Sequence, residues 1–125
     1  MTTTATATFL ATTIDCADAS AQAAFWAGLL GWETTYDADG MAAVEGGGHT
    51  LYFGAVEGYA APAWPDPEAG KQFHLDLRGP AGQQPASMAE RVTELGGSMP
   101  EHQPGDGRWI VFLDPAGHPF CISGG

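Results

Sequence analysis

The chain runs through one pattern twice, and this constrains its fold more than any single motif does. Residues 8–15 are β-prone and read as a strand. A helix follows, which Asp18 or Ser20 can cap; Ala21, Ala24, Phe25, Trp26 and Leu29 supply its apolar face, and Gly31 ends it in the C′ position. Short strands at 32–37, 41–45 and 49–55 come next, joined by turns at Asp39-Gly40 and at Gly46–Gly48. Residues 57–70 are broken by Pro and Gly throughout and read as an irregular connection. Then the pattern restarts. A strand spans 72–77, Pro85 opens a helix striped by Met88, Val92 and Leu95, and Gly96 stops it. Strands at 98–103, 109–113 and 119–123 complete the second pass, with turns at 104–107 and 114–117.

Landmarks recur in the same order. Ile14-Asp15 matches Leu77 and its neighbour Asp76, Leu30-Gly31 matches Leu95-Gly96, Asp39-Gly40 matches Asp106-Gly107, and Gly48-His49 matches Gly117-His118. This is the mark of an internal duplication. The expected fold class is α+β: two tandem β-α-β-β-β modules forming a mixed sheet, with the helices on the outside. A single domain over 1–125 is expected, with module one at about 7–55, a connection at 56–70 and module two at about 71–124.

Charge narrows the partners. Fifteen acidic residues against four basic ones give a net charge of −11, and Lys71, Arg78, Arg91 and Arg108 cannot assemble a basic patch. Nucleic acid is therefore excluded as a partner, while a cationic ligand would be attracted. No apolar run reaches membrane-spanning length, so no membrane partner is expected. Residues 1–8 carry neither Lys nor Arg nor a long apolar core; this is not a signal peptide, and a cytoplasmic location is expected. Cys16 and Cys121 make no disulfide framework and have no zinc-type spacing.

The strand that opens the second half is chemically unusual. Phe73, Leu75 and Leu77 alternate with Gln72, His74 and Asp76, so one face is apolar and the other pairs an imidazole with a carboxylate. Residues two apart share a face without having to touch. His74 is the best clue to a ligand pocket between the halves. His49 and His118 follow glycine turns and read as turn residues, and His102 has no informative context. Trp64, among prolines, either pins the connection to the core or reaches over a pocket. The chain has no Gly-rich phosphate loop and no nucleophile elbow.

Three motifs on this duplicated plan carry a family resemblance: F-W-A-G-L-L-G-W at 25–32, K-Q-F-H-L-D-L at 71–77 and V-F-L-D-P-A-G-H at 111–118. The chain resembles the vicinal-oxygen-chelate superfamily, the glyoxalase, bleomycin-resistance and extradiol-dioxygenase group, and within it the small glyoxalase-like proteins. The resemblance implies sheets curled into a cup-shaped pocket, completed within one chain or across a homodimer. It also places the superfamily's metal-ligand positions on Ala11, Tyr52, His74 and Cys121. Alanine has no lone pair and tyrosine is a rare ligand, so the set is short of donors, and His74 with Cys121 is the remaining pair for a divalent metal.

The resemblance therefore implies a metal-independent binding protein of the bleomycin-resistance type rather than an enzyme, with no cofactor. It would sequester a small aromatic, possibly cationic, natural product among Tyr52, Trp64, His74, Trp109 and Cys121. The alternative it implies is a metal-dependent enzyme of the glyoxalase or dioxygenase type, with a site rearranged around His74.

Overall fold

The computed structural model describes residues 4–66 and 70–125. The first pass contains β1 (Thr12–Cys16), α1 (Ala19–Leu30), β2 (Glu33–Ala38), β3 (Met41–Gly46) and β4 (His49–Ala55). Asp18 caps α1 by accepting from the Ala21 amide at 3.1 Å, and Gly31 closes it in the left-handed conformation at φ 70°. Asp39 and Gly40 both take positive φ in the β2–β3 turn, as a tight two-residue hairpin requires. Residues 56–66 of the connection form no helix or strand, and its 67–69 portion lies outside the described residues. The second pass contains β5 (Leu75–Arg78), a 3₁₀ turn (Pro85–Met88), α2 (Ala89–Glu94), β6 (Trp109–Leu113) and β7 (Pro119–Ser123).

Two modules with outer helices are thus present, but the single curved sheet around a cup is not. The strands form a four-stranded sheet in the order β1-β4-β3-β2 and a separate three-stranded sheet in the order β5-β7-β6. Each is mixed, with β1 parallel to β4, β5 parallel to β7, and the other neighbours antiparallel. Among the described residues no ladder joins β1 to β5, so each is the edge of its own sheet. Both edges are short. β1 begins only at Thr12, and β5 begins only at Leu75, because Gln72 adopts φ 63° and takes the chain out of extended geometry. Phe73, expected on the apolar face, is left fully exposed, whereas Leu75 and Leu77 pack on the core.

The strand expected at 98–103 is reduced to one bridge between Ser98 and Leu113. Pro100 and Pro104 cannot donate to a ladder. The Gln103 carboxamide substitutes for the missing strand: it accepts from the Val111 amide at 2.8 Å and donates to the Val111 carbonyl at 2.9 Å.

One apolar core spans both modules. Phe25 and Trp26 of α1 meet Phe120 of β7 edge-on, with ring centroids 5.9 and 4.8 Å away. The buried face of α1 is Ala19, Gln22, Ala23, Phe25 and Trp26, while the expected Ala21 and Ala24 face solvent. Gln22 hides this face in the sequence because it is polar. It is tolerated there because its amide donates to the Asp114 carboxylate at 3.0 Å and its oxygen accepts from the Ala116 amide at 3.0 Å. Asp114, also buried, accepts in addition from the Trp26 indole at 3.2 Å and from the amides of Ala116 and His118 at 3.0 and 2.9 Å.

Replacing Asp114 by Ala orphans these donors in the interior, so Asp114→Ala should cost about 3 kcal/mol in urea unfolding. The exposed Glu57→Ala should stay within about 0.5 kcal/mol of the parent.

Candidate functional site

The second sheet brings three chemically different donors together. In the parallel β5–β7 ladder Asp76 stands opposite Cys121, and on the other side of β7 Val111 of β6 stands opposite Cys121. His74 lies just before β5, two residues from Asp76. Its Nε2 is 3.3 Å from Asp76 Oδ1, so the two residues do touch. The donor atoms of His74, Asp76 and Cys121 all lie within 4.8 Å of one another. Burial grades across the cluster: side-chain exposure is 78% for Asp76 and 27% for His74, while Cys121 retains only 5%.

The thiol is in its protonated form at neutral pH. Burial raises the Cys121 pKa, the Asp76 charge raises it further, Lys71 partly offsets this, and a hydrogen bond to Asp76 adds to the rise.

This cluster opens into a cleft of about 520 Å³ lined by Lys71, His74, Asp76, Trp109, Cys121 and Ser123. A second cleft of about 380 Å³ lies at the seam between the sheets, with Ile14, Asp15, Trp26, Phe73 and Phe120 in its walls, and His74 borders both. At the seam His118 Nε2 is 2.7 Å from the Asp15 carbonyl, which can only accept, so this nitrogen carries the proton. The Tyr59 hydroxyl, 3.1 Å from the same nitrogen, donates to the Ala116 carbonyl at 2.7 Å, and burial and the Asp114 charge push its pKa up to about 12. His118 is therefore more than a turn residue: it fastens β1 to the turn before β7.

Of the residues expected at the site, His74, Trp109 and Cys121 share the sheet cleft. Trp64 is buried against Val111 and Cys121, so it pins the connection onto the second sheet. Tyr52, in β4 opposite Ala43 and Thr13, lines neither cleft. Asp76, which shares the polar face of His74 in the alternating pattern but stands two residues from the superfamily's ligand position, joins the cluster, and Lys71 lines the cleft without having been expected there. The alternation of β5 was the available signal for Asp76, and nothing in the local pattern distinguished Lys71 from a solvated charge. His49 stacks on Trp32 with centroids 6.0 Å apart, and His102 tilts against Trp64 at 5.8 Å.

Residues 11–123 match the model of a glyoxalase-like domain. The chain belongs to the glyoxalase-like domain family. This family lies within the glyoxalase/bleomycin-resistance superfamily. No functionally curated protein matches this glyoxalase-like domain. Solved structures do. A glyoxalase/bleomycin resistance protein from Albidiferax ferrireducens is 17% identical with a TM-score of 0.65, over 94% of this chain and 98% of that one. A glyoxalase-related enzyme from Fulvimarina pelagi is 22% identical with a TM-score of 0.67, over 94% and 88%. The fosfomycin resistance protein FosX from Mesorhizobium loti is 20% identical with a TM-score of 0.67, over 93% and 90%. At these identities the likeness speaks to fold alone. Among the described residues no helix is long and apolar enough to cross a membrane.

The superfamily includes metal-dependent members, and the donor set of this glyoxalase-like domain fits a metal. One imidazole nitrogen, one carboxylate oxygen and one thiol sulfur, mutually within 4.8 Å, suit zinc or another borderline divalent ion. Three protein donors also leave a coordination position for a small molecule.

The thiol's environment is testable without metal. Iodoacetamide should label Cys121 at pH 7.5 at least about tenfold more slowly than a free cysteine, with the rate climbing only above pH ~9. Asp76→Asn removes the negative charge while Lys71 remains, so the thiol pKa falls and labelling, followed by mass spectrometry, should accelerate.

Proposed function

We propose that this glyoxalase-like domain acts on a small molecule at a divalent metal held by His74, Asp76 and Cys121, as an enzyme of the glyoxalase or dioxygenase type. The observation that carries this reading is the convergence of three unlike donors, His74 just before β5, Asp76 on β5 and Cys121 on β7. Sequestration of an aromatic molecule needs walls and a few hydrogen bonds. It gives no reason to set an imidazole, a carboxylate and a thiol within 4.8 Å. The metal-dependent reading is therefore preferred to metal-independent capture. The names of the structural relatives, a glyoxalase-related enzyme and resistance proteins, support small-molecule chemistry without selecting a reaction.

Bound there, the ion would supply a Lewis acid for a substrate oxygen. The residues around it have separable tasks. His74 would contribute a ring nitrogen and Asp76, 3.3 Å from its Nε2, a carboxylate oxygen. Cys121 sits at the closed base of the cleft and must release its proton to become a ligand; Asp76, bonded to that thiol, is placed to receive it. Asp76 faces solvent, which gives the proton a route out. Trp109 supplies an apolar wall to the cleft.

The protein should bind one zinc ion per chain. His74→Ala and Cys121→Ser should each weaken binding at least about tenfold. The affinity should rise with pH, because ligation displaces a proton from a thiol whose pKa is raised. Zinc titration of chelator-treated protein against a fluorescent competitor measures both. No uptake, or uptake unchanged in both variants, would remove the metal reading; an aromatic ligand then held equally well with and without added zinc would favour capture.

A further inference from the structure

We propose that Phe73 is a gate on the seam cleft. Its ring, turned out in this structure, swings into the gap between β1 and β5 when residues 72–74 rotate between their anchors and Gln72 leaves the left-handed region. The gate needs no metal.

The first ground is an exposed ring beside an unfilled apolar space. Phe73 is 102% exposed. It stands at the lip of the seam cleft, a space of about 380 Å³ whose walls include Ile14, Trp26, Leu75 and Phe120. Moving the ring from water onto those walls is favourable. Phe9 and Leu10, just before β1, are exposed as well, but they line neither cleft.

The second ground is the alternation of the strand. In an extended chain Phe73, Leu75 and Leu77 share one face, and Leu75 and Leu77 already pack on the core. Continuing β5 backwards therefore directs Phe73 to the core side, where the seam cleft lies. The outward position is the one that breaks the pattern, and it occurs next to Gln72 at φ 63°, a region that a residue other than glycine enters at a cost.

The third ground is what holds the segment. Lys71 is fixed on one side, its Nζ over the Trp64 ring at 5.1 Å from the centroid. Leu75 is fixed on the other, at the first step of the β5–β7 ladder, opposite Phe120. The ladder goes no further back because the next residue of β7 is Pro119, which has no N–H to donate. Residues 72–74 thus lie between two anchors with no ladder of their own. The seat of Phe73 is left to the dihedrals of this short stretch and to the burial of its ring. His74, next in the chain, borders both clefts, so the gate stands beside the donor cluster.

The test places 4-fluorophenylalanine at position 73 of the full, metal-free chain and follows it by fluorine NMR. Two readouts mark the inward ring: protection from a neutral gadolinium chelate, and fluorine–proton contacts to the Ile14 methyl groups. The parent should show a protected population with those contacts. Gln72→Gly, which keeps positive φ freely, should shift the ring outward. Gln72→Val, for which positive φ is an outlier, should shift it inward, and the inward-to-outward ratio should differ by about tenfold or more between the two variants. Gln72 is exposed, so neither change disturbs the core; the parent spectrum decides the matter if either variant fails to fold. A ring as accessible in the parent as in the free amino acid would overturn the proposal. So would equal ratios in the two variants, or protection without Ile14 contacts. Protection that grows with protein concentration would seat the ring against a second copy and overturn it too.

Discussion

Asp114 is a carboxylate held out of water by donors from both halves of the chain: Gln22 and Trp26 on α1, and the backbone of the turn that leads into β7. A buried charge of this kind persists only when its hydrogen bonds are made, and these bonds fix where the turn sits against the first-half helix. The turn sets the start of β7, and β7 carries Cys121 into register with Asp76. The candidate site, although it is built from the second half of the chain, therefore depends on a contact between the halves. His118 adds a second fastening to β1 through the Asp15 carbonyl. The two sheets are held by side chains where no ladder joins them.

Much of this architecture was legible because it rests on local chemistry. Asp18 and Gly31 mark the ends of α1 through capping and left-handed geometry, and the 109–113 and 119–123 strands fall where periodicity places them. What periodicity could not reach was long-range satisfaction of polar groups. Gln22 breaks the apolar face of α1 on paper, yet it is buried because a carboxylate 92 residues away accepts from it. Gln103 supplies through its side chain the bonds that a backbone strand was expected to make. The cup failed for a similar reason: a left-handed Gln72 shortens β5, and a single residue's φ angle is invisible to an alternating pattern.

The site was half legible for the same physical reasons. His74 and Cys121 stand at positions that a resemblance could mark. Asp76 becomes a donor only because the parallel ladder sets it opposite Cys121, a pairing between residues far apart in sequence. Trp64 similarly resolves from an ambiguous aromatic in a proline-rich stretch to a buried anchor beside the sulfur, with Lys71 across its ring.

The central claim is that sulfur, nitrogen and oxygen from Cys121, His74 and Asp76 converge on one metal ion. X-ray absorption at the zinc K-edge on protein loaded with one equivalent tests it most directly. The account predicts one sulfur scatterer at about 2.3 Å together with nitrogen and oxygen scatterers at about 2.0–2.2 Å, the sulfur contribution disappearing in Cys121→Ser. A first shell of light atoms alone in the parent protein, or a sulfur signal that persists in that variant, would contradict it.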